Sequence, residues 1–228
     1  MQFRHSARSK HKAALAPRIP ELLHNSRKSR IGTNVPTQIQ SATYADYLRI
    51  NDGKRYELIQ GQYWLMAGAG ALHQRAVVEV VLQIGVHLKG KPCRVFVAPF
   101  DVRLAEANDS DGFESNVVQP DVLINCDRSK ETPTGIKGAP DVVIEVISPN
   151  GSARDLVIKR RIYERAGVSE YWAFDPEGRV LHKHFLVNSQ FEYQSVIARG
   201  VMTLRGLNIP VDFDEIECAE GFVYPEEY

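Results

Sequence analysis

The spacing of apolar positions changes period several times along this chain, and each change marks an element. Residues 55–59 and 62–66 are short apolar runs on either side of Gln60-Gly61, the pattern of a β-hairpin whose glycine supplies a positive φ. Between Leu72 and Leu88, the positions Ala76, Val77, Val80, Val81, Ile84 and Leu88 follow helical spacing, which predicts a long amphipathic helix ended by Gly90-Lys91-Pro92. Strands are expected at 94–98, 101–104 and 121–125, with a polar loop over 106–116. The run 141–147 is nearly continuous Val and Ile, as in a strand covered on both faces. Residues 152–166 read as a helix, with Ser152 as N-cap and Gly167 as its stop. A strand at 170–176 and a meander over 180–186 and 190–196 follow, and Thr43 caps a short helix that opens the folded part. The sum is an α/β fold of the α+β sandwich kind, a mixed sheet with two helices packed on it.

Composition narrows this picture. At 228 residues, 43% hydrophobic and 25% charged, the chain is sized for one ordinary domain with a full core. No apolar run approaches the roughly 20 residues that would span a bilayer, so no membrane role is expected. Cys93, Cys126 and Cys218 are odd in number and widely spaced, which points to reduced thiols and a cytoplasmic protein rather than a disulfide framework or a thiolate zinc site. The formal charge of zero is unevenly distributed: residues 1–40 hold eight basic residues against Glu21 alone, a net +7, so residues 41–228 carry −7. The first forty residues therefore read as a basic, disordered arm before the folded domain at 41–228. Polyanion binding and organellar targeting are further readings of that arm.

The candidate chemistry sits in the strands. Glu145 lies inside a Val and Ile run, where an ionised carboxylate is costly unless it is partnered. Asp121 follows Pro120, which pins the strand's start at the carboxylate. If their strands are neighbours, the two carboxylates together suit Mg²⁺ or Mn²⁺, hard cations that prefer oxygen ligands. Lys159, in the helix that follows, would supply a charge to a phosphate if its face turns to the sheet. Taken singly, each has a plainer reading: Asp121 as a strand-entry residue, Glu145 as a carboxylate paired with an arginine, and Lys159 in a surface pair with Asp155 at i, i+4. Asp141 shares a strand face with Val143 and Glu145 but lies about 13 Å from Glu145 along an extended strand, too far for a shared ion. Glu57 and His73 are secondary candidates. The first could instead be an exposed hairpin position, and the second a solvated residue at a helix start.

These residues carry a resemblance. Tyr56-Glu57-Leu58-Ile59 with Gly61, His73, Pro120-Asp121-Val122-Leu123, Pro140-Asp141 through Glu145-Val146-Ile147-Ser148-Pro149, Asp155 with Lys159 and Tyr163, and Glu170-Tyr171-Trp172 together resemble the Uma2 (DUF820-type) family of restriction-endonuclease-like proteins. That family is similar in fold to the PD-(D/E)XK nuclease superfamily, a mixed β-sheet flanked by helices with a divalent metal site. The resemblance implies Asp121 and Glu145 as metal ligands and Asp121, Glu145 and Lys159 as catalytic residues. It also implies a departure from the superfamily pattern, because the residue two after Glu145 is Ile147 and the ammonium must come from Lys159.

The leading expectation is therefore a Mg²⁺- or Mn²⁺-dependent endonuclease acting on DNA. A homodimer suits an enzyme that cuts two strands. The competing expectations are a nucleic-acid-binding module of the same fold without turnover, and a phosphodiesterase acting on RNA or a small nucleotide.

Overall fold

The structure, a computed structural model, describes residues 41–105, 110–147 and 154–218, and only the backbone of Arg154 and Asp155. Helix α1, Tyr44–Tyr47, opens with Thr43 at its N-cap; the Thr43 hydroxyl accepts from the Asp46 N–H and the Asp46 carboxylate accepts from the Thr43 N–H, a reciprocal cap. Strands β1 (Tyr56–Ile59) and β2 (Gln62–Leu65) form the expected hairpin. Gln60 and Gly61 both take positive φ, 51° and 72°, so the turn is of the primed kind whose twist matches its strands. Helix α2, Ala71–Leu88, buries Ala76, Val80, Ile84 and Leu88 along one stripe.

The strands that follow are β3 (Arg94–Val97), β4 (Asp101–Arg103), β5 (Val117–Val118), β6 (Val122–Asn125), β7 (Glu131–Thr132), β8 (Gly135–Lys137) and β9 (Val142–Val146). Of these, β5, β7 and β8 have only two or three residues each, too few to show a period of two in the sequence. After β9, a π-helical stretch over Arg154–Lys159 runs into α3, Arg160–Ala166. Gly167 ends α3 in the left-handed conformation (φ 88°), as its position predicts. The Ser152 cap lies outside the described residues. The chain continues through β10 (Glu170–Asp175), β11 (Val180–Val187), β12 (Gln190–Ile197), β13 (Val201–Leu204) and β14 (Ile209–Asp212).

The class is as expected, but the strands form two mixed six-stranded sheets rather than one, with β13 and β14 as a separate ribbon. The first sheet runs β2-β1-β5-β4-β8-β7 and the second β12-β11-β10-β9-β6-β3. In the second, β9 and β10 are parallel, with α3 in the crossover between them, while every other pair is antiparallel. Alternation along β9 separates two cores. Val142, Ile144 and Val146 pack with α2 and the β13–β14 ribbon, whereas Val143 and Ile147 pack with α3 and with Ile59, Val102 and Val118 of the first sheet.

The cysteine expectation is corrected. Cys93 and Cys126 form a disulfide, with Cα atoms 3.9 Å apart, and only Cys218 is free. The antiparallel register of β3 and β6 pairs Arg94 with Asn125, and one step further it sets the two cysteines opposite each other. A separation of 33 residues gives no sign of this, because strand pairing creates the proximity. The argument from cysteine usage to a reducing compartment therefore lapses.

Candidate active site

Strand register brings the two principal carboxylates together. On β6 and β9, Val122 pairs with Ile144 and Leu123 with Val143, so extending the ladder sets Asp121 opposite Glu145 on the face turned toward α3 and the first sheet. Asp121 is fixed there by its Oδ2, which accepts the Val146 N–H at 2.8 Å and lies 3.1 Å from His73 Nε2. His73 stands in the first turn of α2, so that helix delivers an imidazole to the carboxylate. Asp141 sits at the opposite end of the strand pair, where its Oδ2 accepts the Cys126 N–H, consistent with a strand-start role.

Lys159, at the end of the π-helical stretch, is only 3% exposed. Its Nζ lies 2.9 Å from Glu145 Oε1 and 2.8 Å from Glu57 Oε1, so one ammonium joins carboxylates from both sheets. Glu57 is completely buried, because β1 alternation puts it on the same side as Ile59, and its Oε1 also accepts the Gln119 N–H. The exposed-hairpin reading of Glu57 is thereby excluded. The reading of Lys159 as a surface cation is excluded too, although the Asp155 side chain of that pair lies outside the described residues.

Two contacts escaped sequence reasoning as site features. Tyr163 donates from Oη to Glu145 Oε1 at 2.7 Å, and burial, followed by the Glu145 charge, holds its hydroxyl well above the ordinary tyrosine range. Its position four residues after Lys159, on the same helical face, was the available signal. Gln119, just before Pro120-Asp121, accepts from the Arg55 guanidinium at 2.6 Å and donates to Asp101 and the Tyr47 hydroxyl. Its side chain ties the first sheet to the strand entry at Asp121, and nothing in a single sequence signals that.

Asp121, Glu145, Lys159, His73, Gln119 and Arg55 line one cleft of about 150 Å³, whose rim is the side-chain-poor stretch 66–70 before α2. A Cβ added at Gly68 or Gly70 would meet nothing within 4 Å, so the rim is open. Among the described residues, no three carboxylate, imidazole or thiol side chains converge as a ready-made metal cage. The donor set instead offers carboxylate oxygens at a cleft. Lys159 contacts two of these carboxylates and His73 the third, and Glu57 Oε2 is buried without a hydrogen-bond partner among the described residues.

A family model described as "Putative restriction endonuclease", Uma2, matches residues 42–214, a span that contains every residue of this cleft. The chain belongs to the Uma2 family. A relative is similar in sequence: "Uncharacterized protein slr1290" from Synechocystis sp. (strain ATCC 27184 / PCC 6803 / Kazusa) is 25% identical over 146 residues, covering 63% of this chain and 67% of that protein. In three dimensions, this Uma2 chain resembles a crystal structure from Anabaena variabilis ATCC 29413 described as a "putative nuclease belonging to DUF820". The TM-score is 0.61 at 17% identity over 76% of this chain and 96% of the other, a likeness of fold. No helix among the described residues is long and apolar enough to cross a membrane.

Proposed function

We propose that this Uma2 chain is an endonuclease that hydrolyses phosphodiester bonds of DNA with a divalent ion, Mg²⁺ or Mn²⁺, held by Asp121 and Glu145. The observation that carries this reading is the buried Lys159 bridging Glu57 and Glu145 beside Asp121 in an open cleft. Buried carboxylates are costly, and setting two of them on one lysine beside a third at a cleft gathers acidic oxygens in one place. The residues fit a hard cation: Asp121 and Glu145 offer carboxylate oxygens, and Mg²⁺ is commonly bound through one or two carboxylates with waters completing its shell. When bound, such an ion polarises a phosphate oxygen and lowers the pKa of a coordinated water.

The chain's own groups then have distinct tasks. Lys159 carries the positive charge that offsets charge developing on the phosphate, the task left open by Ile147. Tyr163 and Lys159 hold Glu145 Oε1, while His73 and the Val146 N–H hold Asp121, the outer support that keeps metal-ligating carboxylates oriented. The first turn of α2, at the cleft rim, presents the positive end of a helix of 18 residues to a phosphate.

Nicking of supercoiled plasmid and fragmentation of an end-labelled single-stranded oligonucleotide measure the proposal. Cleavage is expected with Mg²⁺ or Mn²⁺ and none in EDTA, and Glu145→Gln or Asp121→Asn should lower the rate by about 10³-fold or more with an unchanged circular dichroism spectrum. Plasmid and single strand both left intact by wild type under both metals would overturn it, as would wild-type cleavage by Glu145→Gln.

A further inference from the structure

A second cavity, of about 300 Å³, is lined by Leu156, Arg160, His182, His184 and Tyr193 and shares no lining residue with the cleft. None of these residues has a task in the chemistry above. On β11 and β12, register sets His184 opposite Tyr193, and alternation puts His182 on the same face. The three rings form a platform: His184 to Tyr193 is 4.9 Å between centroids, and His182 to Tyr193 is 6.0 Å with planes 12° apart. Tyr193 is 57% exposed, so its ring is open to solvent. His184 is 2% exposed, and its Nδ1 has no hydrogen-bond partner among the described residues.

We propose that this platform seats an unstacked nucleobase, which makes single-stranded DNA the substrate class of the nuclease; the inference rests on the nuclease reading above. The open Tyr193 and His182 rings supply stacking, which any base can use, the Arg160 guanidinium supplies a polar contact to a base edge, and the buried His184 ring backs Tyr193 from within. Burial lowers both histidines, His184 to about 4, so at neutral pH the rings are uncharged and suit a base rather than a phosphate. Arg160 adds the backbone attraction, being next in the chain to Lys159 and only loosely paired, 3.6 Å from Glu164. In a duplex every base is stacked and paired, so its faces are withheld from such a platform.

The platform is joined to the cleft by packed rings. Tyr163, which holds Glu145, packs with its ring 5.0 Å from that of Tyr171 at a tilt of 50°, and Tyr171 lies 5.2 Å from His184. A strand held on the platform is therefore held a short, fixed distance from the proposed metal ligands.

Fluorescence anisotropy in EDTA, with a fluorescein-labelled single-stranded 20-mer and the matching duplex, tests this on the full chain. Wild type should prefer the single strand, and Tyr193→Ala should weaken single-strand binding roughly 5- to 100-fold while moving duplex binding less than twofold. Tyr193→Phe, which keeps the ring, should stay within about threefold of wild type. Equal single-strand affinity in wild type and Tyr193→Ala, or a wild-type preference for duplex, would overturn the platform even if plasmid cleavage persists. Ring-dependent single-strand binding without any metal-dependent cleavage would keep the platform and overturn the nuclease reading instead.

Discussion

Glu145 and Glu170 lie on neighbouring strands of one sheet, are 3% and 2% exposed, and have opposite surroundings. Glu145 faces the first sheet, where Lys159 and Tyr163 both reach its Oε1. Glu170 faces the α2 side, where its Oε2 receives the Gly206 N–H at a long 3.4 Å and its Oε1 has no hydrogen-bond partner among the described residues. Burial accordingly pushes the Glu170 carboxyl up to about 7, so near neutral pH it sheds its charge instead of finding a partner. Burying a carboxylate thus says little about its task by itself. A cation, a hydroxyl and a second carboxylate beside it are what set Glu145 apart from Glu170.

The sharpest way to break this contrast is to turn the Glu145 site into the Glu170 situation. Lys159→Met leaves Glu57 and Glu145 buried without their cation and should destabilise the fold by about 3–5 kcal/mol in urea titrations at pH 8. Adding Glu57→Gln should recover part of that loss in a double-mutant cycle. A loss under about 1 kcal/mol would mean that the lysine is not what keeps the carboxylates buried.

The converse change acts on Glu170. Its folded value of about 7 exceeds the ordinary 4.5, so the folded state retains a proton that the unfolded chain has released between those values. The stability tied to that proton is fully present below about pH 4.5 and is lost as pH rises through about 7, an effect of order 3 kcal/mol. Glu170→Gln should flatten this slope and raise stability at pH 8, read from unfolding midpoints at pH 5 and 8. An unchanged slope would remove Glu170 from the comparison.

The smallest expected effect is that of Tyr163→Phe, which removes one hydrogen bond to a buried carboxylate and should cost about 1.5–2 kcal/mol. Calorimetry or urea melts give the number. No measurable change would mean that Lys159 alone holds Glu145.

Much of this site was legible in the chain. Pro120-Asp121 and the carboxylate inside the β9 run stand out because a restricted strand entry and a charge among valines each need a reason. The alternation that puts Glu145 with Val143, away from Val142 and Ile144, is a counting argument that the two cores bear out. Legibility failed where an effect depends on which strands pair. Glu57 was ambiguous because a hairpin has two faces, and the sequence does not say which one another sheet will cover. Taken by themselves, Lys159 and Asp155 read more readily as a surface pair, because no local pattern shows that the π-helical stretch carries the lysine inward. Tyr163 and Gln119 look like ordinary core and turn residues, and only their neighbours make them supports of the site.

By itself, the sequence determined the local alphabet: the α2 stripe, the Gln60-Gly61 turn, the Gly167 stop and the strand faces on which Asp121 and Glu145 lie. These follow from backbone sterics and from periods of 3.6 and 2, which need no knowledge of distant residues. Only the tertiary structure decided that there are two sheets, that Cys93 meets Cys126, and that Glu57 and Lys159, roughly a hundred residues apart, share a buried contact. Those facts come from strand register and the closing of one sheet over another, where many weak contacts act together and no local pattern records the outcome.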